Sequence, residues 1–155
     1  MIDKLHPDNG TTSQIIVQTA QKWIGTPYIH QASLIGVGTD CLGLVRGVWR
    51  ELYGGEPQHV PPYSADWGEV GQGDPLLTAA RSSLEEHVCS QAIPGDVLIF
   101  RMRSDACAKH CAFLSDDNRM IHAYSNHAVC EVAFTPAWKR RLAAVFRFPN
   151  ILEAV

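Results

Sequence analysis

Lys109-His110-Cys111-Ala112-Phe113-Leu114-Ser115-Asp116-Asp117-Asn118-Arg119-Met120-Ile121-His122-Ala123-Tyr124 is the stretch whose register decides how this chain folds. Two short apolar runs flank the turn-forming residues Asp116, Asp117 and Asn118, which is the pattern of an antiparallel hairpin. A three-residue loop, 116–118, with Asn118 in the left-handed position, sets Ser115 opposite Arg119, Ala112 opposite His122 and His110 opposite Tyr124. Directly opposed residues share a face of a sheet. His110 and His122 therefore fall on one face as diagonal neighbours, about 7–8 Å apart at Cα. A two-residue loop would send them to opposite faces.

Outward from the hairpin, further strands are predicted at 97–102, 129–134 and 142–148, all after the turn Pro94-Gly95-Asp96. Upstream the texture is helical. Ser13 caps a first helix whose apolar side is Ile16, Ala20, Trp23 and Ile24, and which ends at Gly25 before Pro27. A second helix follows Thr39-Asp40, with Leu42, Val45, Trp49 and Leu52 as its buried stripe, and stops at Gly54-Gly55. Asp74 with Pro75 opens a third, running to about His87 with Leu76, Leu77, Ala80 and Leu84 inward. Helices first and strands after predict an α+β domain with an antiparallel sheet.

At 155 residues the chain is expected to form one domain, 1–155, with an N-terminal arm over 1–12. Residues 55–73, rich in Pro and Gly and carrying Tyr63 and Trp67, are expected as a surface loop. Hydrophobic residues make up 46%, charged residues 19%, and the net charge is −3, enough apolar material for a core and too little positive charge for a nucleic-acid partner. No window approaches the roughly 18 apolar residues of a membrane helix, so no membrane insertion is expected. The start MIDKLHPDNG has no hydrophobic signal core, so synthesis in the cytoplasm without a signal peptide is expected. The five cysteines, an odd number, are expected as reduced thiols.

Cys41 lies in the first turn of the second helix, where free N–H groups and the helix dipole favour a thiolate. Two imidazoles on one sheet face complete a nucleophile, base and orienter: one ring contacts the sulfur while the other orients it, with His110 chosen as base. A rival reading makes Cys107, His110, Cys111, His122 and Cys130 a zinc site. Against it, Cys111 adjoins His110 on a strand and points to the opposite face, and no second paired motif follows. No metal and no cofactor are expected.

Gly25-Thr26-Pro27-Tyr28, Thr39-Asp40-Cys41-Leu42-Gly43-Leu44-Val45, Pro94-Gly95-Asp96-Val97, His110 and Met120-Ile121-His122-Ala123 resemble, in order and spacing, the NlpC/P60 cysteine peptidases. The resemblance spans about 15–148. His30-Gln31-Ala32-Ser33 and Leu42-Gly43-Leu44-Val45-Arg46-Gly47-Val48-Trp49-Arg50 look like the phage-type branch, the cell-wall peptidases of tailed phages and gene transfer agents. The resemblance implies a papain-like fold with N-terminal helices packed on a small antiparallel sheet that carries both His. It implies hydrolysis of amide bonds in peptidoglycan stem peptides, typically from γ-D-glutamate to a diamino acid. By matching positions Cys41 is nucleophile, His110 base and His122 orienter, with Tyr28 and Asp40 on the substrate and oxyanion side.

Implied partners are the stem peptide and tail proteins of a phage or gene transfer agent, and the implied place of action is a virion, its tail or the cell wall. Two features depart from the pattern. Leu42 replaces the Ser that in many members helps bind the stem peptide's free amine, and Cys111-Ala112 replaces Val-Gly after the base. A tail component without turnover, and an acyltransferase or lipid amidase using the same acyl-cysteine, are the other readings of these residues.

Overall fold

The computed structural model describes residues 7–58 and 73–150, so most of the loop expected at 55–73 and the first residues of the expected arm lie outside the described residues. In chain order the elements are α1 (Pro7–Gln21), β1 (Ser33–Leu34), β2 (Gly38–Thr39), α2 (Cys41–Tyr53), α3 (Pro75–Ser83) and β3 (Glu85–His87). A short 3-10 turn, Cys89–Gln91, precedes β4 (Val97–Phe100), β5 (His110–Asp116), β6 (Arg119–His122), β7 (Cys130–Ala133), α4 (Pro136–Arg141) and β8 (Leu142–Arg147). β1 and β2 form a small ladder. The other six strands form one antiparallel sheet in the order β3-β8-β4-β5-β6-β7. Helices and an antiparallel sheet make the α+β arrangement expected.

The sheet is covered on both faces. Val97, Ile99, Cys111, Phe113, Ile121, Ala144 and Phe146 pack with Ile16, Ala20 and Trp23 of the N-terminal segment and Leu44 and Val48 of α2. Leu98, Phe100, Ala112, Leu114, Met120 and Val145 pack on the opposite side with Phe134 and Trp138. Double coverage explains why β4 is buried along its whole length and reads as a continuous apolar run instead of an alternating one.

Four local expectations are corrected. α1 begins at Pro7, so Ser13 lies within the helix instead of capping it. Its end tightens through bonds from Lys22, Trp23 and Ile24 N–H to the carbonyls three residues back, at 3.2, 3.0 and 3.2 Å. That change of pitch keeps Trp23 in the core and turns Ile24 out, 45% exposed.

In α2 the deepest side is Gly43, Leu44, Gly47 and Val48, while Leu42, Val45, Trp49 and Leu52 are only partly buried. The two glycines let the helix approach the Ala32 backbone and the Trp23 ring more closely than any side chain would allow.

α3 stops at Ser83, because Leu84 turns extended and Glu85, Glu86 and His87 pair with Arg147, Phe146 and Val145 of β8. The fourth correction is the hairpin turn. β5 and β6 are joined by the two residues Asp117 and Asn118, and Asp116 pairs with Arg119. Asn118 is not among the left-handed residues. A bulge at Ser115 then restores Leu114 opposite Met120 and Phe113 opposite Ile121, which is the pairing expected for the body of the hairpin.

Candidate active site

α2 starts where Asp40 stops the chain from being extended. The Asp40 carboxylate accepts the Gly43 N–H at 2.7 Å through Oδ1 and the Gln31 N–H at 2.7 Å through Oδ2. The first bond caps the helix. The second pins a loop in which Gln31 adopts a left-handed φ of 66°. Asp40, expected on the substrate side, is 2% exposed with both oxygens on backbone donors, so its part here is to fix where Cys41 begins the helix. His30 Nδ1 lies 3.8 Å from the same carboxylate.

Cys41 is half-buried, with its sulfur 3.8 Å from the Lys109 carbonyl at the mouth of β5. The next residue, His110, opens that strand and is 5% exposed. Its Nε2 is 2.9 Å from Nδ1 of His122, itself 3% exposed. The expected co-facial pair therefore forms, through the restored register. With Nε2 facing His122, Nδ1 is the His110 nitrogen left over, and His110 follows in sequence the Lys109 whose carbonyl Cys41 approaches.

Electrostatics sets the charge of His122. Burial, then the charges of His110 and His127, pull His122 down to about 4 from 6.5, so at neutral pH it is uncharged. Which ring donates across the His110 Nε2–His122 Nδ1 contact follows the tautomer, and in the tautomer in which His110 donates from Nε2 its Nδ1 is an acceptor. The Cys41 thiol is held well below the ordinary thiol range. The hydrogen bond from Cys111 contributes most, burial opposes it, and the bond and charge of His110 assist, against the Asp40 carboxylate. Cys111 is correspondingly pushed well above that range by its bond to Cys41 and by burial.

Tyr28, bridged to Thr39, sits close enough to feel Cys41 and Asp40, and burial with those charges raises it to about 12. Its hydroxyl stays a donor at neutral pH.

Aromatic rings wall the imidazoles. Phe100 stacks on His110 at 5.8 Å, Trp138 lies 5.4 Å from His110 and 5.5 Å from His122, and Tyr124 stacks on His122 at 5.6 Å with planes 11° apart. Sequence reasoning missed Trp138 because it did not see α4. The legible signal was Thr135-Pro136: the Thr135 hydroxyl accepts the Trp138 N–H at 3.3 Å, with Pro at the first helical position. It also missed that the face of β5 carrying Cys111, away from His110, is the one on which Cys41 rests. Among the described residues no group of three or more His, Cys, Asp or Glu is placed to hold a metal, and all five cysteines are free thiols. No helix among the described residues is long and apolar enough to cross a membrane.

Residues 25–147 match the sequence profile of the NlpC/P60 family. The chain belongs to the NlpC/P60 family. The curated relative matched is itself a hydrolase. The chain is 27% identical over 150 residues to this γ-DL-glutamyl hydrolase of Bacillus subtilis strain 168, covering 96% of this chain and 32% of that protein. It thus spans about a third of that relative's length.

Among solved structures, the NlpC/P60 domain of the peptidoglycan hydrolase SagA superposes with a TM-score of 0.62 at 23% identity, over 88% of this chain and 98% of that one. The peptidoglycan hydrolase RipB of Mycobacterium tuberculosis gives 0.61 at 17% identity, over 92% and 67%. At these identities the likeness is one of fold.

Proposed function

We propose that the chain, a single domain over 1–155, is a cysteine endopeptidase that cuts amide bonds in peptidoglycan stem peptides, at the bond from γ-D-glutamate to the diamino acid. The observation that carries this reading is the 2.9 Å contact between His110 Nε2 and His122 Nδ1 behind a thiol at a helix start. Cys41 is the nucleophile, His110 the base and His122 the orienter. His110 Nδ1 takes the thiol proton, and the thiolate adds to the scissile carbonyl. The carbonyl oxygen becomes an oxyanion stabilised by the Cys41 backbone N–H at the positive end of α2, with the Tyr28 hydroxyl beside it. His110, now cationic, protonates the departing amine. A water activated by the same nitrogen then hydrolyses the acyl-cysteine.

The substrate class is supported by the printed activity of the Bacillus subtilis relative and by the two peptidoglycan hydrolases of like fold. The segments 30–33 and 42–50 support the phage-type branch, with tail proteins of a phage or gene transfer agent as partners and a virion or the cell wall as the place of action. The test is mass spectrometry of muropeptides after digestion of purified peptidoglycan. New diamino-acid amino termini are expected with the wild-type protein and none with Cys41→Ala. Equal release by the Cys41→Ala variant would overturn the cysteine mechanism, and cleavage at another bond would overturn the substrate assignment.

A further inference from the structure

Phe100, Trp138 and Tyr124 box in the imidazole pair, and they differ in how far they face water. Phe100 is buried and Trp138 half-buried, whereas Tyr124 is 37% exposed. Tyr124 touches both histidines, lying edge-on to His110 at 5.3 Å and flat on His122 at 5.6 Å. It follows His122, the last residue of β6, by two, the spacing that keeps a side chain on the same side of an extended chain. A turn holds it there. The His127 N–H donates to the Tyr124 carbonyl at 2.9 Å, Asn126 takes a left-handed φ of 68°, which Asn tolerates, and the His127 ring stacks on Tyr124 at 6.2 Å. His122 is therefore buried although its strand ends with it, because Tyr124 stands between it and solvent.

Resting on the reading of His110 as base and His122 as its orienter, we propose that Tyr124 is a positioning residue: its ring closes the box over His122, keeps water from that imidazole, and so sets the acid limit of hydrolysis. An imidazolium is stabilised by water, and a ring lying flat on the imidazole withholds it. Burial is accordingly the first cause of the fall of His122 to about 4 from 6.5. The titratable and charged groups around His122 are His110 on β5, Cys130 opposite it on β7, His127 on the turn, and, on α4, the Arg141 guanidinium over the Trp138 ring. The charges of His110 and His127 act in the same direction as burial and after it. A ring face also attracts a cation, which would raise His122, and the fall shows that exclusion of water wins. The effect on hydrolysis passes through one proton. A protonated His122 carries hydrogen on both nitrogens, so its Nδ1 donates to His110 Nε2 instead of accepting from it. His110 then carries its own hydrogen on Nδ1, and the lone pair that takes the Cys41 proton in the proposed mechanism is gone.

The experiment follows kcat/KM on a muropeptide against pH, and in parallel the NMR titration of the His122 ring protons, assigned by their loss in His122→Gln. Both are measured on the full chain and on its Tyr124→Ser, Tyr124→Phe and His127→Gln variants. The wild-type His122 is expected to titrate near 4. In Tyr124→Ser that titration and the acid limb of kcat/KM both move up by about one pH unit or more, toward 6.5. Tyr124→Phe keeps the ring and stays with the wild type, and His127→Gln moves far less than Tyr124→Ser. A Tyr124→Ser variant that loses rate equally at every pH would overturn the proposal, because a ring with a merely structural part would do that. Failure of Tyr124→Phe to rescue would overturn it too, as would a shift in His127→Gln as large as in Tyr124→Ser, which would assign the effect to charge. A wild-type His122 that titrates at 6.5 overturns it even where the Ser variant folds poorly. Wild-type protein that cleaves no muropeptide strikes the reading of the site, while the titration, read without substrate, still decides whether Tyr124 shields His122.

Discussion

Two histidines in one hydrogen bond carry different burdens. In the proposed mechanism His110 Nδ1 exchanges the proton with Cys41, so His110→Ala removes both the base and the cation that stabilises the thiolate. Its kcat/KM is expected to fall by more than the roughly 10²–10⁴-fold typical of losing a general base. His122 acts by accepting from Nε2 of His110, a task a Gln oxygen also performs. His122→Gln is therefore expected to lose less, and steady-state kinetics of the two variants side by side checks the order. An equal loss would make His122 the proton carrier. The depressed His122 also leaves a mark on stability. Its ordinary value of 6.5 falls to about 4 in the fold, so between those values the unfolded chain binds the extra proton. Stability is then full above about pH 6.5 and declines as pH falls toward 4, by roughly 3 kcal/mol for a shift of this size. Urea unfolding between pH 4 and 7 is expected to show this slope in the wild type and a shallower one in His122→Gln.

At the scale of elements, the position of Cys41 is set by how α2 starts. Asp40 caps it, and Gly43 allows the loop before it to pass close: a Cβ there would strike the Ala32 carbonyl oxygen, which accepts the Asp40 N–H at 3.2 Å. That oxygen cannot retreat without loosening the loop that Asp40 pins. Gly43→Ala gains up to about 1 kcal/mol of helix propensity but forces a backbone shift, with overpacking costs of about 1–3 kcal/mol. A net loss of thermal stability is expected, together with a fall in hydrolysis as Cys41 moves off the imidazole. A melt at or above wild type would show that the loop yields freely. The β5–β6 hairpin teaches the complementary lesson: its bulge at Ser115 converts a tight two-residue turn into the register that puts both His on one face.

For the molecule as a whole, one ion pair ties the last sheet strand to the turn that launches β4. Asp96, 1% exposed, receives Arg147 Nε at 2.8 Å and Nη2 at 2.9 Å, and accepts the Ile93 N–H at 2.9 Å. Removing one partner leaves a buried charge alone. Arg147→Met is expected to cost about 3 kcal/mol, the lower end for such pairs because the Arg147 side chain is 22% exposed. Adding Asp96→Asn should recover part of the loss, since the uncompensated carboxylate is gone. Denaturant unfolding of the single and double variants checks this, and a double variant less stable than Arg147→Met would place the cost in packing instead of charge.

What the sequence determined by itself is local. Asp40 before Cys41 marks a helix start because its side chain can reach an N–H three residues on, and Gly54 ends that helix at a φ of 89°. Short apolar runs on either side of Asp116 to Asn118 specify a hairpin, and the apolar choice at Phe113 and Ile121 holds its register to the core side. The helix-start position of Cys41 and the shared face of both histidines were legible for that reason, each tied to a cap or a period within a few residues. Only the tertiary structure decided what depends on distant partners. Glu85-Glu86-His87 becomes a strand because β8, far along the chain, offers it an edge to pair with. Ile24 turns outward because the end of α1 tightens before Gly25 bonds to Val129. Cys111 is buried beneath α2 because the face of β5 turned away from His110 is the face on which that helix lies. Side-chain direction on a strand follows from alternation, but what waits on that side is set by how the helices pack.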